Sequence, residues 1–95
     1  PLFSQVENLA AAGIIPGGSK NNLDYFSKHI TWDSQLSAIS RIILCDAQTS
    51  GGLLFTLPED EREAVLVDLH AAGIYAAAHV GNCLGLGDGK IFVRG

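Results

Sequence analysis

The run Asp46-Ala47-Gln48-Thr49-Ser50-Gly51-Gly52 passes without a break into Leu53 and Leu54, and this junction constrains the fold more than any other part of the chain. A polar, glycine-ended stretch reads as loop, and the apolar residues that follow it at once read as a buried strand. The loop is also where chemistry is expected. Thr49 and Ser50 offer two hydroxyls, Gln48 an amide, and Gly51 and Gly52 two backbone N–H groups that no side chain screens. That donor set suits anionic oxygens. A plain turn ahead of a strand is the competing reading of the same residues.

The apolar spacing on either side supplies the elements. Leu2, Phe3, Val6, Leu9, Ala10 and Ala12 recur at helical intervals and Gly13 follows, so a helix is expected from about Leu2 to Ala12. Pro16 to Asn22 reads as loop because Pro-Gly-Gly punctuates strongly, with Asn21 or Asn22 capping a short helix through Leu23, Tyr25 and Phe26. Ile30 to Trp32 reads as extended. Asp33 or Ser34 is the expected N-cap of a helix carrying Leu36, Ile39, Ile42 and Ile43, which delivers the chain to Asp46. Leu53 to Leu57 reads as a buried strand ended by Pro58. Pro58 then starts the clearest helix, with Glu59, Asp60 and Glu61 at its positive end, Val65, Leu66 and Leu69 as its packing stripe and Gly73 as its stop. Ala76 to Val80 reads as a further strand, joined through the Asp88-Gly89 turn to Ile91, Phe92 and Val93 as a hairpin partner.

Several features that invite a functional reading have a simpler one. Gly85, Gly87 and Gly89 precede Lys90, yet Leu84 stands where a P-loop needs its first glycine and Lys90 where a dinucleotide fingerprint needs its third. The segment also leads into a strand where both motifs require a helix, so a bent hairpin is the reading. His29, His70 and His79 have no partner at metal-site spacing, and His70 suits the negative end of the long helix. Asp60, Glu61 and Glu63 make a solvated helix start. Cys45 and Cys83 sit in apolar sequence and read as reduced core residues. Asp46 stands apart from this background because it lies between an apolar helix and the polar loop, where partial burial would force it to find a partner. It shapes the turn by accepting backbone N–H groups, or it lies near a metal or substrate.

Charge excludes some partners. Six Lys and Arg against ten Asp and Glu give a net charge of −4, with the basic residues scattered from Lys20 to Arg94. Nucleic-acid binding needs cations gathered on one face, and no aromatic residues alternate with basic ones, so no nucleic-acid partner is expected. No apolar run approaches the roughly 20 residues that span a bilayer, and no signal-peptide pattern is present, so no membrane role is expected and a cytoplasmic location is. The 95 residues suit a single domain, 1–95. Only 17% of them are charged, against about 25% in ordinary soluble domains. That low charge agrees with a chain that leaves an apolar face uncovered.

Two segments carry a family resemblance. Asp46 to Leu54 resembles the Asp-Pro-Gln-Thr-Ser-Gly-Gly-Leu-Leu signature of selenophosphate synthetases (selenide, water dikinases). Gly13-Ile14-Ile15-Pro16-Gly17-Gly18-Ser19-Lys20-Asn21-Asn22 resembles their Gly-Ala-Val-Pro-Gly-Gly-Thr-Arg-Arg-Asn segment, in the same order and at a similar distance. The closing stretch, from Val80 and Gly81 through Asp88 and Gly89 to Val93, is also similar. Three departures stand out. Ala47 replaces the usual Pro, which frees the backbone and returns an N–H donor. Ser19 and Lys20 stand where Thr and Arg are common, keeping a hydroxyl and a charge but not the planar guanidinium fork. Asn21 replaces a second Arg.

The resemblance implies an α/β fold (an α+β sandwich), specifically part of the C-terminal domain of the aminoimidazole ribonucleotide synthetase type, with a mixed sheet packed by helices. It implies a fragment of a two-domain, dimeric enzyme whose absent N-terminal domain carries the catalytic groups. That enzyme turns selenide, ATP and water into selenophosphate, AMP and phosphate, using ATP and magnesium. No catalytic residue and no metal ligand is expected here, and the fragment alone is expected to be inactive. Its substrate- or phosphate-facing candidates are Gln48, Thr49, Ser50, Gly51 and Gly52, with Gly17, Gly18, Ser19 and Asn22 as a second patch. Asp46 is the structural or metal-proximal candidate. The expected partners are its own N-terminal domain and a second copy of the full-length chain. Alternatives are a thiamin-phosphate kinase-like C-terminal domain, less favoured because Leu53 and Leu54 directly follow the glycines, or a noncatalytic packing or dimerisation module.

Overall fold

The computed structural model describes residues Pro1–Gly95. Its helices are α1 (Val6–Ala11), α2 (Gly17–Phe26), α3 (Ala38–Leu44) and α4 (Arg62–Ala71), with single 3-10 turns at Ser27–His29 and Glu59–Glu61. Strands β1 (Ile30–Trp32) and β2 (Ile91–Val93) pair in parallel, Ile30 opposite Ile91 and Trp32 opposite Val93. The content is mixed α/β as expected, and the sheet is a two-stranded parallel one. The chain forms two compact units, Leu2–Gly51 with Leu86–Gly95, and Gly52–Gly85 with Pro1.

The first unit is organised around α3. Its Ile42 is buried, as are Ala10 of α1 and Cys45 just beyond α3, and both α1 and α2 pack on it. α3 begins at Ser37, whose Oγ accepts the Ser40 N–H, so the N-cap is neither Asp33 nor Ser34. Asp33 is engaged elsewhere: its Oδ1 accepts the Gln35 N–H at 2.9 Å and its Oδ2 the Gly95 N–H at 3.5 Å. These two bonds, the Gln35 one foremost, hold the carboxyl below its ordinary range. Asp33 N–H also donates to Val93 O at 2.8 Å, which continues the β1–β2 ladder by one rung. Arg41 joins α3 to this sheet, donating from Nη2 to Asp33 O and lying over the Trp32 ring with its guanidinium carbon 5.9 Å from the centroid.

Helix ends obey the sequence closely. The pattern Leu-x-Ala-Ala-Gly-Ile occurs at Leu9–Ile14 and again at Leu69–Ile74, and both copies close a helix in the same way. Ile14 N–H donates to Leu9 O and Gly13 N–H to Ala10 O; Ile74 N–H donates to Leu69 O and Gly73 N–H to His70 O. Gly13 and Gly73 take φ of 81° and 87°, the left-handed conformation that this paired closure requires and that glycine adopts without steric cost. In the second unit α4 leads into this closure, with Val65, Leu66 and Leu69 half-buried on one side. Past it, His70 Nε2 lies 2.9 Å from Ala77 O, bridging the last helical turn to the segment beyond.

Helix starts and strands depart from expectation. The first helix begins at Val6, not Leu2, because Gln5 takes a left-handed φ of 72°, leaving Leu2 and Phe3 outside the helix and exposed. Pro16 to Asn22 is not loop: Pro16, with φ −58° and ψ 144°, precedes the first residue of α2, and Asn21 and Asn22 lie within the helix rather than capping it. Glycine is a poor helix former, but at Gly18 the close approach of Ala47 described below requires it. Leu53 to Leu57 forms no strand and is not buried, with Leu53 at 95% and Leu54 at 82% exposure. Ala76 to Val80 forms no strand either. Strand propensity is expressed only where a neighbour completes the ladder, and β1 and β2 pair only with each other. Ile91 to Val93 is a strand, but its partner is the distant β1 in parallel, so the Asp88-Gly89 turn closes no hairpin. Gly89 still takes a φ of 74° and Lys90 pairs with Asp88 at 3.4 Å. The apolar surface is extensive, with Phe3, Tyr75, Leu84 and Leu86 each at 80% exposure or more.

Cys45 is buried and Cys83 exposed, so only the first is a core residue; no element covers Cys83. Burial pushes the Cys45 thiol up. Alkylation with iodoacetamide at neutral pH should label Cys83 quickly and Cys45 only when the chain is unfolded, read by peptide mass. Equal labelling of both in the folded chain would contradict the burial of Cys45. Replacing Gly73 by Ala should loosen the end of α4 by about 1 kcal/mol, seen as faster amide exchange at Ile74. Unchanged exchange there would contradict the closure.

Candidate functional site

The two sequence segments singled out above meet in space, and the meeting point is one side chain. Ser19, the third residue of α2, is 1% exposed. Its hydroxyl donates to Asp46 Oδ1 at 2.5 Å and accepts the Ala47 N–H at 3.4 Å. One turn on along α2, Asn22 Nδ2 donates to Cys45 O at 3.1 Å. Three consecutive residues at the exit of α3 are therefore held by one face of α2.

Local sequence explains why the helix can come so close. A Cβ on Gly18 would lie 2.9 Å from the Cβ of Ala47, nearer than two carbons can pack, so the contact needs glycine at 18 and a small residue at 47. Gly17, one residue earlier, has open space around it. The Ala47 N–H that a proline could not offer is in use. Asp46 also meets a need of α2 itself: Pro16 provides no side-chain cap, and the first turn carries no acidic residue. A carboxylate 27 residues away in sequence, bonded to the third helical residue, supplies the negative charge that a helix start favours. Asp46 as a whole stays exposed, so the burial expected of it falls on its partner Ser19 instead.

Beyond this joint the chain opens out. Gln48, Thr49, Ser50, Gly51 and Gly52 are all exposed and take no part in helix or strand. Ser50 adopts a left-handed φ of 59°, uncommon for a residue with a Cβ. The Gln48 side chain folds back over Gly51, where an added Cβ would lie 2.8 Å from Gln48 Oε1 and 3.3 Å from Gln48 Cβ. Thr49 and Ser50 thus present hydroxyls, and the glycines backbone N–H groups, on a loop whose first residue directly follows a fixed anchor. Among the expected candidates, Gly18, Ser19 and Asn22 lie against residues 45–47, Gly17 stands in open space, and Gln48 to Gly52 form the outward loop. Sequence reading missed Ala47 and the Cys45 carbonyl as parts of the joint. The available signal was Gly-Gly-Ser at a helix start together with Asp-Ala at a helix end, two halves of one contact that spacing alone could not pair.

No group of three or more His, Cys, Asp or Glu side chains is placed to hold a metal ion. No helix is long and apolar enough to cross a membrane. The chemistry on offer is hydrogen-bond donation from a glycine-rich loop fixed to a helix start, in a chain of mixed α/β content. Comparison with known proteins gives that class its family. The chain is 40% identical over 77 residues to the selenide, water dikinase of Myxococcus xanthus, covering 81% of this chain and 22% of that protein. It is 35% identical over 94 residues to the Clostridium botulinum (strain Alaska E43) enzyme and 33% identical over 94 residues to the Carboxydothermus hydrogenoformans enzyme, in each case covering 99% of this chain and 27% of the relative. The chain belongs, as a segment, to the selenide, water dikinase family. It spans about a quarter of the length of the curated relatives it matches. No protein-family profile matches it, and no solved structure does.

Removing the Asp46 carboxylate would leave the buried Ser19 hydroxyl without its acceptor and α2 without its charge, a loss of about 1–3 kcal/mol. Asp46→Ala should therefore lower the unfolding midpoint in urea. A variant as stable as the parent would return Asp46 to the list of groups that act on ligand directly.

Proposed function

We propose that this chain is the C-terminal part of a selenide, water dikinase, the enzyme that converts selenide, ATP and water to selenophosphate, AMP and phosphate. The observation that carries the reading is the joint itself: both segments that resemble the family come together through Ser19, Asp46 and Ala47, and the donor loop that follows is left exposed. In the full-length enzyme, Gln48 to Gly52 form a wall of hydroxyl and N–H donors toward the phosphates of ATP or the phosphorylated product. Gly17 offers a backbone N–H at the start of α2, where the helix dipole favours anions. Ser19 and Asn22 act from behind, holding the loop.

Magnesium chemistry belongs to the rest of the polypeptide in this reading. Asp46 is the one carboxylate at the site and its Oδ1 is already engaged by Ser19, so these residues do not make a magnesium centre by themselves. Phosphoryl transfer depends on metal-held phosphates and a placed nucleophile, so the 95-residue segment alone should turn over no ATP. The N-terminal domain of the same polypeptide supplies those groups, and the exposed Leu53, Leu54, Phe55 and Leu84 of the second unit suit a surface that packs against further protein. A cytoplasmic homodimer is the corresponding assembly. The same apolar surface is what a noncatalytic packing module would display, so the experiment separates the two by activity.

Thr49→Ala with Ser50→Ala in the full-length enzyme should lower kcat/KM for ATP by about a hundredfold, the usual effect of losing placed donors. Selenide-dependent AMP release is the measurement. Wild-type kinetics in the double variant would remove the loop from the site and favour the packing module.

A further inference from the structure

We propose that Ser19 is a positioning residue for the Gln48–Gly52 loop: its hydroxyl fixes the point from which the loop departs, and so tunes ligand contact without touching the ligand. The inference rests on the reading above that this loop meets phosphate.

Four observations carry it. Ser19 is the one fully buried side chain of the protein, and its two hydrogen bonds go to consecutive residues, the side chain of Asp46 and the backbone N–H of Ala47. The hydroxyl is thus donor to one and acceptor from the next, an arrangement in which each bond polarises the other. The bond to Ala47 is the last that the chain makes to α2 before Gln48, so the direction of the loop is decided there. Finally, Gly18 and Ala47 leave no space between α2 and the loop start, so the anchor cannot relax inward when the hydroxyl is removed; the loop must swing outward instead. A displacement of about 1 Å at a binding loop is enough to cost one or two orders of magnitude in turnover.

A group that acts only by position differs from one that acts by contact. The sequence offers a hydroxyl at 19 and hydroxyls at 49 and 50, and only the latter two are open to a ligand. Ser19→Ala should therefore mimic a loop defect. Ser19→Thr keeps the donor and the acceptor and should restore the anchor.

The test uses the full-length enzyme that carries this segment, with Ser19→Ala, Ser19→Thr, Asp46→Asn and the Thr49→Ala, Ser50→Ala double variant, read by kcat/KM for ATP and by hydrogen exchange of peptides spanning 45–52. Expected are about a tenfold loss of kcat/KM and faster exchange at Ala47 to Gly52 in Ser19→Ala, with both recovered in Ser19→Thr. Asp46→Asn, which keeps the shape and an acceptor oxygen but not the charge, should move both readouts the same way by less, and serves if Ser19→Ala does not fold. Faster exchange in Ser19→Ala or Asp46→Asn with unchanged kcat/KM, while the Thr49, Ser50 variant is impaired, overturns the positioning role and leaves the loop site standing. Unchanged kinetics in the Thr49, Ser50 variant overturns the loop site itself.

Discussion

A hydroxyl sealed from water needs both its hydrogen and its lone pairs engaged, and at Ser19 that requirement is met by residues 27 and 28 positions away. An unmet buried hydroxyl costs on the order of 1–3 kcal/mol, so α2 cannot drift from the exit of α3 without exposing that cost. The rest of the first unit follows. α2 carries Gly18 in its first turn because the contact with Ala47 needs the space it leaves; Ala47 must be small; and Asp46 doubles as the acidic group that the start of α2 lacks. A polar contact carries weight here because the apolar core is slight, with Ala10, Ile42 and Cys45 its only buried hydrophobic residues.

The same joint separates what is fixed from what is open. Residues 45–47 are clamped to α2, whereas residues 48–52 are exposed, with the Gln48 side chain folded over Gly51. This division suits a loop that meets a ligand, because the entropy of ordering the loop is partly removed before binding. It also assigns different work to residues that look alike in sequence. Ser19 faces inward and holds; Thr49 and Ser50 face outward and are free to bind. The match to the selenide, water dikinase family runs over nearly all of this chain and about a quarter of its relatives, and in the proposed reading the segment contributes one wall of a larger site.

Helix ends were legible in the sequence, helix starts less so, and non-local pairings not at all. Gly13 and Gly73 announced helix ends correctly because the left-handed closure depends on residues within a single turn. Pro58 and the acids after it marked the start of the 3-10 turn that leads into α4 for the same reason. Ile30 to Trp32 and Ile91 to Val93 were readable as strands, but their mutual parallel pairing was not, because nothing in either segment names a partner some sixty residues away. Leu53 to Leu57 carried a strand pattern that no neighbour completes. Pro16-Gly17-Gly18 read as loop because propensity favours loop; the tertiary contact with Ala47 reverses it. The donor loop was visible at once, whereas the pairing of Ser19 with Asp46 required three-dimensional placement, since each residue alone suits an ordinary helix or turn.

The central claim is that Ser19 and Asp46 hold α2 and the loop together as a unit, and a double-mutant cycle on unfolding free energy tests it most directly. Ser19→Ala, Asp46→Ala and the combined variant, compared by urea unfolding, should show a coupling of about 1 kcal/mol or more, because the second change removes little once the first has broken the bond. Strictly additive losses, within about 0.3 kcal/mol, would show that the two residues act independently and would contradict the account.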